Sequence, residues 1–314
     1  MKAIVTGAAG FIGSNLCRKL LADGFSVTGI DSFTDHYPRW IKERNISPLR
    51  AHNEFDFLDK DLDDLDPAGV LEGADCVFHL AAQAGVRASW GRSFDIYLKN
   101  NIRVTQKLLE ASKGFPLKKF IYSSSSSVYG LTPTLPMSET NAVHPLSPYG
   151  VSKLAAEQLC FLYHKNFGVP AVSLRFFTVY GPSQRPDMAF HKFFKALAED
   201  REITVFGDGQ QTRDFTFVAD IVQANLAALI SGKPGETYNV GGGHREKLTD
   251  VIRLMEGITR TKARVLWTEK QKGDVPDTWA DIRKARQDLG YSPKTRLDQG
   301  LEQEWLWIQK LYSS

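Results

Sequence analysis

The chain is predicted to be an α/β protein, a doubly wound parallel sheet followed by a smaller C-terminal α/β domain. Three observations predict it. A strand, a glycine-rich turn and a helix open the chain; strand-like and helix-like segments alternate as far as residue 174; past residue 180 the pattern changes to shorter strands and glycine-rich loops. Parallel strands with crossover helices imply a doubly wound sheet, whose ligands bind at the carboxyl ends of the strands.

Ala3-Ile4-Val5 reads as a buried strand. Gly7-Ala-Ala-Gly10-Phe11-Ile12-Gly13 follows at once, and residues 11–21 carry apolar side chains at helical spacing until Gly24. Such glycines allow a tight turn, close backbone approach to a pyrophosphate and tight helix-on-strand packing, while the helix start supplies amide donors. Residues 25–30 form a second strand that ends in Asp31, eighteen residues past Gly13. A carboxylate there accepts from both adenosine-ribose hydroxyls and repels a 2′-phosphate. Ser32, Phe33 and Thr34 supply no cation to receive one, so NAD is favoured over NADP.

Further strands are read at 54–57, 76–80, 119–123 and 171–174, with helical stretches near 94–113 and 149–167. Gly7, Asp31, Asp61, Ala81, Ser125 and Phe177 all fall at or beyond strand ends, so one crevice holds them together. Helices near 188–199, 248–258 and 297–312 belong to the second part. The expected division is residues 1–172 for the dinucleotide domain. Residues 173–314 are mainly substrate-binding, with some segments returning to the first domain.

With 314 residues, 42% apolar and 24% charged, the chain has ample core and ordinary composition for a compact enzyme. A net charge of +3 is too small to make nucleic acid or membrane the main partner. Cys17, Cys76 and Cys160 lie far apart in apolar surroundings, reading as reduced core residues rather than a disulfide framework or zinc site. The seven histidines show no metal spacing, and no metal is expected. No apolar run approaches eighteen residues, and the N-terminal stretch is broken by Thr6, Gly7 and Gly10, so a cytoplasmic location is expected.

The chemistry concentrates in Ser123 to Ser127, followed by Val128-Tyr129-Gly130 and, nineteen residues later, Tyr149-Gly-Val-Ser-Lys153. Tyr149 and Lys153 share one helix face, so the ammonium is expected beside the phenol, favouring phenolate. A serine hydroxyl at a neighbouring strand end, Ser125, then bonds the same substrate oxygen. That is equipment for taking a proton from a secondary alcohol while hydride leaves its carbon. A surface helix with an incidental Tyr and Lys is the bland alternative, weakened by the helix start at Ser147-Pro148 and by the cofactor signature.

The chain resembles extended short-chain dehydrogenase/reductases of the nucleotide-sugar epimerase and dehydratase group, nearly end to end. The motifs that carry the resemblance are Thr6-Gly-x-x-Gly-x-x-Gly13, His79-Leu-Ala-Ala82, Asn101, the serines to Gly130, Tyr149-x3-Lys153, Arg175-Phe-Phe-Thr-Val-Tyr-Gly-Pro182 and Gly207-Asp-Gly-x-x-x-Arg213-Asp214. It implies a Rossmann-like fold and a retained NAD. It also implies that Ser125, Tyr149 and Lys153 are catalytic. Asp61 and Leu62 flank the adenine, and Phe11, Ile12, Ser32, Leu80, Ala81, Ala82, Asn101 and Phe176 line the rest of the cofactor. By the same resemblance Arg213 holds a nucleoside diphosphate, Val205, Phe206 and Gly207 border the uracil, and Asp274 meets a ribose hydroxyl. Many relatives place a second arginine three residues before Asp274, where this chain has Gln271. Diphosphate neutralisation is therefore expected to rest on Arg213 with Arg87.

In relatives that dehydrate a sugar, Asp and Glu follow the catalytic hydroxyl, and related decarboxylases carry Glu at the second place. Here both positions are serine, Ser126 and Ser127. Deleting a required acid or base costs ~10²–10⁴-fold, which leaves 4-epimerisation through a transient 4-keto sugar. Gly181-Pro-Ser-Gln-Arg185, with Thr178, resembles UDP-glucuronate 4-epimerases, and so does the segment 79–87 (HLAAQAGVR). A C5 carboxylate calls for a bidentate cation and hydroxyl donors, the roles expected of Arg185, Thr178, Ser126 and Ser127. The expected reaction is UDP-glucuronate to UDP-galacturonate without decarboxylation. A neutral UDP-hexose or N-acetylhexosamine 4-epimerase is the alternative, and a silent NAD-binding regulator is disfavoured by the intact Ser125, Tyr149 and Lys153. The resemblance also implies a homodimer paired through a four-helix bundle, with Leu108, Leu109, Leu159 and Leu162 as seam candidates.

Overall fold

The computed structural model describes residues 1–313. The sheet strands are β1 (Lys2–Thr6), β2 (Ser26–Asp31), β3 (Phe55–Asp59), β4 (Cys76–His79), β5 (Lys119–Ser125) and β6 (Ala171–Phe176). The later strands are β7 (Thr178–Tyr180), β8 (Ile203–Phe206), β9 (Thr212–Arg213), β10 (Phe215–Phe217), β11 (Thr237–Val240), β12 (Glu246–Lys247) and β13 (Val265–Thr268). Seven strands form one parallel sheet in the order β11-β6-β5-β4-β1-β2-β3. The order reverses between β1 and β4, so the crevice of a doubly wound sheet opens there. Strands β4, β5 and β6 are buried along their whole length, as parallel strands covered by helices on both faces must be.

Helix α1 (Phe11–Ala22) and α2 (Arg39–Arg50) follow the first two strands, and α3 (Pro67–Leu71) follows the third. The stretch from 94 to 112 is helical throughout but not uniform. It comprises α4 (Phe94–Tyr97), a π-helical segment over Leu98–Arg103 and α5 (Val104–Ser112). Helix α6 (Pro148–Phe167) starts where Ser147 accepts a bond from the Gly150 N–H, with Pro148 in the first turn. It ends at Gly168 in the left-handed region.

The small sheets β7–β10, β9–β12 and β8–β13 belong to the second part, with α7 (Ala189–Ala198), α9 (Leu248–Thr259), α10 (Arg283–Leu289) and α11 (Leu297–Tyr312). Two segments return to the first part: β11 extends the large sheet beside β6, and α8 (Val218–Ser231) packs against α1. The expected division at 172/173 falls inside β6, so no single cut of the chain separates the two parts.

Helices α2 and α8 are not marked by periodicity, for opposite reasons. Arg39–Arg50 is rich in charge and holds Pro48, so it shows little apolar stripe. Val218–Ser231 is apolar on nearly every side because it is buried between layers. The seam candidates also divide. Leu108 and Leu109 are core residues at 2% and 0% exposure, Leu159 packs against that core, and Leu162 alone is exposed. Residues at i, i+4 of a covered helix and of its free face look alike in sequence.

Candidate functional site

The crevice at the strand ends has a volume of about 420 Å³. Its floor begins at Gly7, whose φ of +71° and closeness to Ala81 N, 2.9 Å from any added Cβ, exclude a side chain. At Gly13 a Cβ would lie 2.1 Å from Gly7 O, so α1 is drawn down onto the turn. Gly10, Phe11, Ile12 and Gly13 line the crevice, as do Asp31, Ser32, Asp61, Leu62, Leu80, Ala81, Ala82 and Phe176.

Asp31 closes β2 with its carboxylate accepting from the Ala9 and Phe33 N–H groups at 3.2 and 2.9 Å. Against expectation a cation stands beside it. Lys42 Nζ on α2 lies 3.5 Å from Asp31 Oδ1 and 3.4 Å from Thr34 Oγ1. Eleven residues separate Asp31 from Lys42, and only the return of α2 over the sheet brings them together. Asp61 is paired with Lys99 at 2.7 Å.

Asn101 does not line the crevice; its neighbour Asn100 does. The π-helical segment, a local departure often found at functional sites, turns Asn101 inward. There it accepts from the Gln83 N–H at 2.7 Å and donates to Gln83 O and to Ser152 Oγ. It therefore ties the β4 loop to α6. His79, also buried, bridges Thr6 and Thr105 at 2.8 and 2.9 Å. Burial, helped by the Lys153 charge, pushes its imidazole down to about 3 and keeps it neutral.

The five serines leave the sheet at the end of β5 and turn through a 3₁₀ segment over Ser126–Val128. Ser125 Oγ accepts from the Ser127 N–H at 3.2 Å. Tyr149, in the first turn of α6, meets Ser125 within the crevice. Burial raises its phenol above the ordinary value, while the Ser125 hydrogen bond and the Arg185 charge draw it back down. Lys153 lies on the same helix face, but among the described residues no hydrogen bond joins it to Tyr149. Its Nζ sits over the Tyr122 ring, 4.6 Å from the centroid. Burial pushes Lys153 down to about 7, against the opposing influence of Cys160 and Glu157. The Arg185 charge also acts on the phenol, a partner the Tyr-Lys spacing does not reveal.

Arg185, Thr178, Ser126 and Ser127 share the crevice with Tyr149. Arg185 is not free for bidentate use: Nε and Nη2 each donate to Asp187, at 3.0 Å. The remaining expected residues gather at one rim. Arg87 Nη2 donates to Asp274 Oδ2 at 2.6 Å and its guanidinium stacks 4.0 Å over Phe206. Arg213 donates to the carbonyls of Thr212, Pro276 and Val275. Val205, by contrast, turns its side chain into the core at 1% exposure, so it borders no ligand through that side chain. Gly273, beside Asp274, packs against Val86 and Ser147, which joins this rim to the crevice. Among the described residues no group of three or more His, Cys, Asp or Glu side chains is arranged to hold a metal.

The glycine cradle under the start of α1, the ribose-height carboxylate of Asp31 and the continuous lining to Tyr149 fit a dinucleotide. Similarity to known proteins agrees. Residues 3–241 match the model of the NAD dependent epimerase/dehydratase family. An uncharacterised UDP-glucose epimerase of Bacillus subtilis (strain 168) is 48% identical, with 99% of both chains covered. A UDP-glucuronate 4-epimerase of Thermodesulfobacterium geofontis (strain OPF15) is 38% identical over 98% of this chain and 96% of that one. The crystal structure of UDP-glucuronic acid 4-epimerase from Bacillus cereus, in complex with UDP-glucuronic acid and NAD, superimposes with a TM-score of 0.97. It is 48% identical, covering 99% of this chain and 100% of that one. The chain belongs to the NAD dependent epimerase/dehydratase family, among the extended short-chain dehydrogenase/reductases.

Proposed function

We propose that this chain is an NAD-dependent UDP-glucuronate 4-epimerase, converting UDP-glucuronate to UDP-galacturonate without loss of CO₂. One observation carries the reading: Ser125, Tyr149 and Lys153 converge in a crevice shared with Arg185 and three hydroxyls, with serines where elimination needs acids. Names and bound ligands of the similar proteins support it. Tyr149 takes the proton of the sugar's C4 hydroxyl and returns it when the ketone is reduced on its other face. Ser125 bonds the same oxygen and helps lower the phenol. Lys153, on the same helix face as Tyr149, lines the crevice beside it, and Gly7, Gly10, Gly13 and Asp31 hold the dinucleotide. When bound, the nicotinamide is the reversible hydride acceptor for that carbon. Ser126, Ser127 and Thr178 donate to the C5 carboxylate, and the edge of Arg185 turned away from Asp187 faces it. Arg87 and Arg213 serve the diphosphate end, Phe206 the uracil and Asp274 the ribose.

A second reading, a 4-epimerase of neutral UDP-hexoses, is favoured by the engagement of Arg185 with Asp187 and by the name of the Bacillus subtilis relative. Incubating purified protein with UDP-glucuronate and with UDP-glucose, then separating the sugar nucleotides, decides between them. We infer a homodimer as well, on the exposed apolar side chains Val151, Phe161, Leu162 and Phe167 of α6. The buried free cysteines Cys17, Cys76 and Cys160 suit the reducing cytoplasm.

A further inference from the structure

Arg185 and Asp187 meet in a fork-to-fork pair, Nε to Oδ1 and Nη2 to Oδ2, both at 3.0 Å. This is the geometry a substrate carboxylate would itself use. Asp187 thus occupies the Nε/Nη2 edge of a guanidinium that lines the sugar pocket. It is held from the other side by the cofactor loops: His36 Nε2 stands 3.6 Å from Asp187 Oδ2, and His36 Nδ1 lies 2.9 Å from Gln83 Nε2. Gln83 in turn is fixed by Asn101. The Asp187 carboxyl is pushed up by burial but held below the usual carboxylate range by His36 and Arg185, so it is charged. The Arg185 side chain is 21% exposed and that of Asp187 35%, so water screens the pair only in part.

On the reading of the substrate as a UDP-uronate, we propose that Asp187 is a specificity-determining residue that neutralises Arg185 and so sets how strongly the sugar pocket prefers a charged C5 group. A lone buried arginine would demand an anion and would be left unpaired by a neutral sugar. With Asp187 in place the pocket is charge-balanced under a UDP-hexose. A uronate enters at the cost of a second carboxylate near the first. Asp187 therefore widens the range of sugars the pocket accepts and moderates its grip on a uronate. No other described carboxylate bonds Arg185.

The test measures binding by calorimetry in NAD-containing protein carrying Tyr149→Phe, so that neither ligand is consumed. Adding Asp187→Asn removes the charge and keeps the shape, and one oxygen still accepts from Arg185. UDP-glucuronate is then expected to bind roughly five- to thirtyfold more tightly, as removal of one nearby like charge allows, while UDP-glucose shifts by less than about twofold. Asp187→Glu, which keeps the charge, should hold a ratio close to that of the parent. Equal shifts for both ligands, or weaker uronate binding in Asp187→Asn, would overturn the proposal. If Asp187→Asn does not accumulate as folded protein, Asp187→Ser removes the same charge and is read in the same way. The two readings fail separately. Wild-type protein that leaves UDP-glucuronate unconverted ends the epimerase assignment, whereas the ratio of the two affinities tests Asp187 alone.

Discussion

Arg175 on β6 and Glu157 on α6 form a buried bidentate pair, Nε to Oε2 at 3.0 Å and Nη2 to Oε1 at 2.6 Å. Ser124 donates to the same carboxylate at 2.6 Å, so the strand that carries the serines, the strand beside it and the helix that carries Tyr149 are bolted at one point. Both side chains are almost wholly shielded, at 6% and 3% exposure. Glu157→Ala strands the guanidinium without a counter-charge, and breaking such a pair from one side costs roughly 3–5 kcal/mol. Urea unfolding followed by circular dichroism measures it. A loss below about 1 kcal/mol would show that Arg175 finds another partner.

Lys153 makes stability depend on pH in a direction that can be stated. Burial lowers its folded pKa to about 7 from an ordinary 10.5. Between those values the unfolded chain binds the proton that the folded chain has released, so folding is favoured increasingly as pH rises. The penalty is complete below pH 7. Lys153→Met has no such group, so its stability relative to wild type is greatest below pH 7 and the difference shrinks toward pH 10.5. Urea midpoints at three pH values across that window test this, and a constant difference contradicts it.

The parts of the site legible in the sequence are those fixed by local rules. The glycines, Asp31, the serine run and Tyr149 lie at strand ends or a helix start, and turn geometry or helix spacing announces each one. What stays hidden depends on side chains that return from a distance. Lys42 reaches Asp31 from a polar helix, Asp187 reaches His36 across the two parts of the fold, and Glu157 finds Arg175 eighteen residues on. No period marks such meetings. Asn101 and Val205 depart from expectation because facing a crevice and facing the core from its edge leave the same trace in sequence. A π-helical segment shifts the face by a fraction of a turn, enough to exchange Asn101 for Asn100.

Asp31→Ala should lower affinity for NAD and raise acceptance of NADP. The carboxylate is both the ribose acceptor and the counter-charge of Lys42, whose Nζ lies 3.5 Å away. Without it the ammonium faces the 2′ position alone, a place suited to phosphate. The NAD-to-NADP affinity ratio is expected to fall by ~10- to 100-fold, because NAD loses a charge-assisted hydrogen bond while NADP acquires an ion pair with Lys42. Fluorescence titration of nucleotide-stripped protein gives the ratio, and an unchanged value would remove Asp31 from the ribose site.

The free face of α6 predicts assembly. Phe161 and Leu162 are 47% and 48% exposed, and Val151, three turns before Leu162 on the same face, extends the apolar surface along the helix. Two such helices packed across a twofold axis would cover these residues. Light scattering at micromolar concentration should give a dimer mass, and Phe161→Glu with Leu162→Lys should yield monomer with unchanged circular dichroism. A wild-type protein that is monomeric at that concentration refutes the dimer.

Tyr149→Phe is the most direct test of the chemistry. The substitution removes one oxygen from a ring that packs edge-on to Tyr97 at 6.2 Å, so packing and fold are preserved. Ser125 remains to bond the sugar oxygen, but no other phenol or carboxylate stands at positions 125–127 to take the proton. Turnover should fall by ~10²–10⁴-fold, the usual cost of losing a positioned general base, with NAD content and melting temperature close to wild type. Sugar-nucleotide chromatography and release of bound nucleotide measure the two effects on one preparation. Lost activity with lost NAD would point instead to a role in holding the cofactor. Undiminished turnover would move the base elsewhere, because Lys153, over the Tyr122 ring and without a bond to Tyr149, is not placed to substitute for it.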